Sequence, residues 1–242
     1  MKRPPALAVA SFAAITLAAM ACGSDAAPGD PDQAAEAATA GTVEAAVHGS
    51  CSTLAVRGLS EQLVAEIACI KPGSLARIDD VKGVTLDAEV FPYLQQSAAT
   101  ALALAATHGT IDVRSALRTL PQQYLLHRWY KASRCGIGLA APVGESNHEQ
   151  GLAVDAAGGR SRALTCAGFR WFGSGDPVHH DVSAGGDVDL AGLSTMAFQR
   201  LWNRNHPDQL LPEDGIYTRA TEARLKQAPT GGFYVGATCL QD

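Results

Sequence analysis

Ser146-Asn147-His148-Glu149-Gln150-Gly151-Leu152-Ala153-Val154-Asp155 is the stretch on which the reading of this chain turns. A histidine and an aspartate at this spacing converge if a tight turn and a strand lie between them. Gly151 permits the turn, because a residue without Cβ takes backbone conformations that others avoid. Leu152 and Val154 would anchor the strand. Imidazole nitrogen and carboxylate oxygen both bind zinc at about 2.0–2.2 Å. A second stretch, Asp176-Pro177-Val178-His179-His180-Asp181, offers a third ligand from either of two adjacent histidines. Catalytic zinc keeps three protein ligands and leaves the fourth position to water. Each stretch alone also fits ordinary surface polarity; their order, the glycine between and the compartment argued below join them into one site.

Working outward, Thr110–Ser115 alternates Ile111 and Val113 with polar residues and predicts a strand. Pro121–Ala132 reads as a helix, with proline in the permitted first turn and Leu125, Leu126 and Trp129 on its apolar face. Phe91–Ala106 reads as a longer buried helix ending near His108-Gly109. Leu59–Ile70 has apolar residues at helical spacing, with Ser60 as a plausible N-cap. Gly151–Ala156, Gly168–Phe172 and Val178–Val182 are short strand candidates. Helices mixed irregularly with short strands predict an α+β domain, in which a small antiparallel sheet is flanked by helices. Ala197–Trp202 and Thr221–Lys226 predict two further short helices, separated by a turn-rich stretch.

The first residues point to export. Lys2 and Arg3 precede an apolar run from Ala6 to Met20, and small residues lead to Cys22. This pattern fits a secretory signal, and it is short for a membrane span. The cysteine at its end resembles a bacterial lipobox, with Ala19 where leucine is usual, and makes Cys22 a lipidation candidate. Residues 23–47 lack aromatic and almost all large aliphatic side chains, so they read as a flexible linker that cannot bury enough surface to order itself. In an oxidising envelope Cys51, Cys69, Cys135, Cys166 and Cys239 become disulfide candidates, and their odd number leaves one free. The expected pairs are Cys51 with Cys69, flanking one helix, and Cys135 with Cys239, tying down the C-terminal tail. A net charge of −5 without a basic stripe argues against nucleic acid as a partner.

The motifs resemble those of the zinc D-Ala-D-Ala carboxypeptidases and dipeptidases, which share a fold with L-alanyl-D-glutamate endolysins and the Hedgehog signalling domain. The family pattern S-x-H-x-x-G-x-A-x-D is met at every defined position from Ser146 to Asp155. A carboxylate, two residues and a histidine recur as Asp176, Pro177-Val178 and His179. Ser115-Ala116-Leu117-Arg118, followed by Gln122 or Gln123, matches a third block. The resemblance covers about residues 91–183 and implies a Hedgehog/D-Ala-D-Ala-peptidase fold with one zinc ion on His148, Asp155 and His179. It implies Asp176 as the catalytic carboxylate that moves a proton from the attacking water to the leaving amine, typically worth about 10²- to 10⁴-fold. Arg118 would face the substrate and stabilise developing negative charge, worth on the order of 3 kcal/mol. Ser146, Ser115 and Gln123 would contact substrate. Two positions depart from the pattern: Asp176 replaces a longer glutamate, and His180 stands where an aromatic is usual and could compete as a ligand. The spacing from Asp176 favours His179.

Residues 197–225 resemble the helical peptidoglycan-binding repeat in a shortened form, with Thr218 in place of a glycine. The expected organisation is a signal at 1–22, a linker at 23–47, a zinc peptidase domain at 48–186 and a helical appendage at 187–242. The expected protein is an envelope-located or secreted monomer that hydrolyses peptidoglycan stem peptides, first at the terminal D-Ala-D-Ala bond. Membrane contact would come only through the lipid anchor. The alternatives are an endopeptidase of the L-Ala-D-Glu type and a zinc-containing, non-catalytic wall-binding lipoprotein, since fold does not fix function.

Overall fold

A computed structural model describes residues 41–183 and 187–239; the expected signal, Cys22 and most of the linker lie outside them. The chain is α+β, with seven α-helices, one 3-10 turn and two sheets among the described residues. Helix α1 is Val43–Gly49 and α2 is Arg57–Ile70. Strands β1 (Leu75–Arg77), β2 (Val84–Leu86) and β3 (Tyr93–Gln95) lead into α3 (Gln96–Ala106). Strand β4 (Ile111–Ser115) runs into α4 (Leu120–Lys131), and β5 is Ala153–Ala156. Then come α5 (Arg162–Cys166), β6 (Arg170–Trp171) and β7 (His179–Asp181). Helices α6 (Leu190–Asn205) and α7 (Arg219–Gln227) complete the set.

The main sheet has the order β2-β4-β5-β7-β6. It is mixed rather than purely antiparallel: β2 runs parallel to β4, while the other pairs are antiparallel. Helix α3 lies in the crossover that a parallel pair requires. On β4, Ile111 and Val113 are buried and Asp112 and Arg114 exposed, so alternation gives the sheet one core face. That face packs on α3 and α5 through Leu94, Leu102, Val154 and Leu164.

Local chemistry shifts several element boundaries. The stretch before α3 is a strand because Pro92 favours extended backbone at Phe91, and Tyr93–Gln95 then pairs with β1. Ser60 is inside α2, where its hydroxyl donates to the Val56 carbonyl and meets Thr119 Oγ1 at 2.7 Å; the helix starts at Arg57 without a side-chain cap. Pro121 does sit in the first turn of α4, where Gln122 reaches back to accept the Thr119 N–H at 3.0 Å.

A second core joins the two ends of the chain. Val43, Leu59, Leu63, Leu125, Phe198, Trp202 and Leu225 belong to one buried cluster. Helix α1 therefore begins inside the stretch whose composition reads as a linker: Thr42 caps it, Glu44 binds Tyr124 and Arg128, and Val43 and Val47 are buried. Beyond residue 187, α6 packs along α2, with Arg204 donating to buried Glu66 at 3.1 Å. The disulfides are Cys51–Cys135 and Cys69–Cys239, so the expected cysteines are used but the expected pairs are not. The fold brings together cysteines 84 and 170 residues apart, a partnership no local spacing reveals. Cys166 is free and exposed.

Candidate metal centre

Strand register builds the site. Asp155 on β5 is directly opposite His179 on β7 and is paired on its other side with Ser115 of β4, so these side chains share one face. His180 faces the other way with its cross-strand partner Val154, and there its Nε2 accepts the Ser161 N–H at 3.1 Å. That partnership separates it from the site and leaves His179 as the histidine beside Asp155. His148 arrives from the turn before β5, where Ser146 Oγ accepts the His148 N–H and Gly151 N–H returns to the His148 carbonyl. Gly151 has φ +62°, and an added Cβ would press on Gln95 N and Leu190 Cδ2, each at 3.1 Å. Glycine suits the conformation, and any side chain here would also have to push its neighbours back by a few tenths of an ångström.

His148 Nε2, Asp155 Oδ1 and His179 Nδ1 form a triangle with 3.1 Å on each edge. Tetrahedral donors at about 2.1 Å from one ion lie about 3.4 Å apart, so the triangle fits a metal after opening by a few tenths of an ångström. Proton positions strengthen the fit. His148 Nδ1 is 2.8 Å from the Ala116 carbonyl, which only accepts, so Nδ1 carries the proton and Nε2 presents a lone pair. His179 Nε2 donates to Asp181 Oδ1 at 2.7 Å, so Nδ1 presents the lone pair once the ring is neutral. Three electron-pair donors thus converge on one point, an arrangement suited to a cation. These residues are a group that could hold a metal ion.

The partners of the ligands are equally ordered. Asp155 Oδ2 accepts Arg118 Nη2 at 2.9 Å, and Arg118 Nε donates to Ser115 Oγ at 3.0 Å. Asp181 accepts from Asn147 at 2.6 Å and from Arg170 at 3.0 Å besides His179. Such outer contacts fix ring orientation and tautomer in metal sites. Without an ion, burial disfavours charge on His179, but hydrogen bonds to Asp155 and Asp181 outweigh it and raise the ring to about 9. Burial, with Arg118 adding to it, holds His148 below its ordinary value and neutral. Burial pushes the Glu149 carboxyl up to about 8, although Gly144 and Ser146 donate backbone N–H groups to it.

A cleft of about 640 Å³ opens on all three ligand residues. Asp176, Glu145, Ser146 and Arg118 also line it, together with Leu139 and Phe172. Of the residues singled out from sequence, Ser115 instead lines a smaller neighbouring cavity that meets the cleft at Arg118 and Asp155. Gln123 is fully buried on the inner face of α4 and donates to the Ala141 carbonyl at 2.7 Å, which holds up the cleft wall instead of lining it. Arg118 reaches the cleft while bound to Asp155. Asp181 and Phe172 escape the sequence reading as site residues: Asp181 stands beside the histidine pair but owes its role to distant partners, and Phe172 carries no motif signal. Compared with known proteins, the chain matches no family model, no curated protein and no solved structure.

Proposed function

We propose that this protein is a zinc-dependent peptidase of Hedgehog/D-Ala-D-Ala-peptidase type, exported to the cell envelope, where it hydrolyses peptidoglycan stem peptides. The observation that carries the proposal is the triangle of His148 Nε2, Asp155 Oδ1 and His179 Nδ1, with proton-fixing partners behind it and an open cleft before it. The two disulfides suit an oxidising compartment. When bound, zinc supplies Lewis acidity, polarising a carbonyl oxygen and acidifying water to a pKa of about 7. Asp176, on the cleft wall, takes the proton of the attacking water and returns it to the leaving nitrogen. Arg118 orients Asp155 through Nη2, leaving Nη1 for a substrate oxygen. Asp181 holds the His179 ring by its far nitrogen.

The terminal D-Ala-D-Ala bond is the first candidate for cleavage. A second reading, cleavage of an internal bond such as L-Ala-D-Glu, draws on Asp176 in place of glutamate. It also draws on the cleft's charges: among the described lining residues the one Arg or Lys is Arg118, whose charge is already paired with Asp155, so a terminal carboxylate finds an N–H donor there but no unpaired positive charge. The test measures zinc content and hydrolysis of defined stem peptides for the wild type, His148→Ala and Asp176→Ala. One zinc per chain with peptide cleavage, metal lost in His148→Ala, and metal kept without cleavage in Asp176→Ala are expected. Zinc without cleavage of any stem peptide would replace the enzyme by a zinc-containing wall-binding protein. No zinc would end the proposal.

A further inference from the structure

Among the described residues, seven large hydrophobic side chains are strongly exposed, and two of them, Leu139 at 60% and Phe172 at 55%, line the metal cleft. Both are carried on pinned backbone. Phe172 follows β6 and donates its N–H to the His179 carbonyl at 3.0 Å. Its ring stands edge-on to the His179 ring, with centroids 5.6 Å apart and planes at 90°. Leu139 rides on the strap that follows Cys135. Disulfide Cys51–Cys135 holds one end of that strap, and α4 holds the other through Gln123 on Ala141 O and His127 on Ala140 O. These two are held in the open beside the candidate metal group.

The remaining charge of the cleft narrows what they can meet. Glu145 and Asp176 line the same space, and Arg118 is neutralised by Asp155. An anionic side chain entering there meets two carboxylates, whereas an aliphatic one meets apolar surface. We propose that Phe172 and Leu139 determine specificity, gripping an uncharged aliphatic side chain on the residue whose carbonyl faces the metal and rejecting an acidic one. The inference rests on the zinc reading above, and its test separates the two.

The zinc-loaded full chain is titrated calorimetrically with straight-chain alkyl hydroxamates, from acetohydroxamate to hexanohydroxamate, and with succinic monohydroxamate. Acetohydroxamate, whose methyl stands in for the α-carbon alone and which has no side chain, is the reference within each variant. Affinity should rise about two- to fourfold per added methylene, and the terminal carboxylate of the succinic compound should abolish that gain. Phe172→Ala and Leu139→Ala should flatten the series, and Phe172→Leu should restore part of its slope. A flat series in the wild type, or an unchanged slope in both alanine variants, overturns the proposal while leaving the zinc site standing. Failure of acetohydroxamate itself to bind zinc-loaded protein overturns both.

Discussion

Asp181→Asn removes one negative charge behind His179 while keeping nearly the same shape. The carboxylate accepts His179 Nε2 at 2.7 Å and Asn147 Nδ2 at 2.6 Å, and its other oxygen accepts Arg170 at 3.0 Å. Burial raises this carboxyl, but those three donors hold it well below the usual range, so it is ionised wherever the protein is folded near neutrality. The amide can still accept from His179, and Arg170, largely exposed, can turn its guanidinium toward solvent. Outer contacts of this kind are worth about 10- to 100-fold in metal affinity, and retained geometry places the asparagine near tenfold, or about 1.4 kcal/mol. An opposing effect must be separated. In metal-free protein His179 is raised to about 9, so freeing its ligand nitrogen at pH 7.5 costs about 2 kcal/mol. Losing Asp181 lowers that value and relieves part of this cost. The deficit of the variant should therefore be small near pH 7 and grow to its full size by pH 9.5. Competition against a chromogenic zinc chelator across that range reads it directly. A deficit under about threefold at pH 9.5, or one that shrinks with rising pH, would refute the assignment of His179 Nδ1 as the ligand atom steadied by Asp181.

The same protonation predicts that His179 contributes about one proton to the release on zinc uptake at pH 7, beyond what zinc-bound water gives, and that this share fades above pH 9.5. Asp181→Asn should release fewer protons than the wild type near pH 8, measurable by calorimetry in buffers of different ionisation enthalpy. For Glu149 the folded value, about 8, exceeds the ordinary 4.5, so its stability contribution is full below pH 4.5 and declines as pH rises through 8. Glu149→Gln should match the wild type near pH 4 and exceed it near pH 8.5 in urea unfolding; a gap independent of pH would count against the buried acid. Removing Cys69–Cys239, which spans 170 residues, should cost about 5 kcal/mol on the chain-entropy account, seen as a lower urea midpoint for Cys69→Ser/Cys239→Ser.

What could be read from the sequence was local. The turn at Gly151, the strand carrying Asp155 and the first turn of α4 are each specified within a few residues, and the pairing of β7 with β5 then brings His179 to the candidate site. The partners of those ligands were less legible. Asp181 lies two residues from His179, but its value depends on Asn147 and Arg170 arriving from other segments. Gln123 matched a motif, yet the rotation of α4 turns it into the wall. Helix α1 is seven residues long and rich in alanine, so nothing within it outweighs the entropy of ordering; burial on α4 and α7 does. Helix α6 starts at Leu190, seven residues before its apolar run suggests, because Asp189 caps it and Ser194 accepts the Leu120 N–H. Cysteine pairing was illegible for the same reason: it reports which distant helices meet.

The meeting of the two ends has a consequence for how the chain is made. Val43 N–H binds the Ala228 carbonyl, Thr230 N–H binds the Gly41 carbonyl, and Phe233 N–H is held by Gln62. Helices α1 and α2 therefore lack their closing layer until the segment around residues 225–233 is available. A chain made from its N-terminus exposes its first helices long before that segment follows. Folding of this core therefore waits for residues 225–233, and a chain stopped short of them leaves the apolar faces of α1 and α2 uncovered.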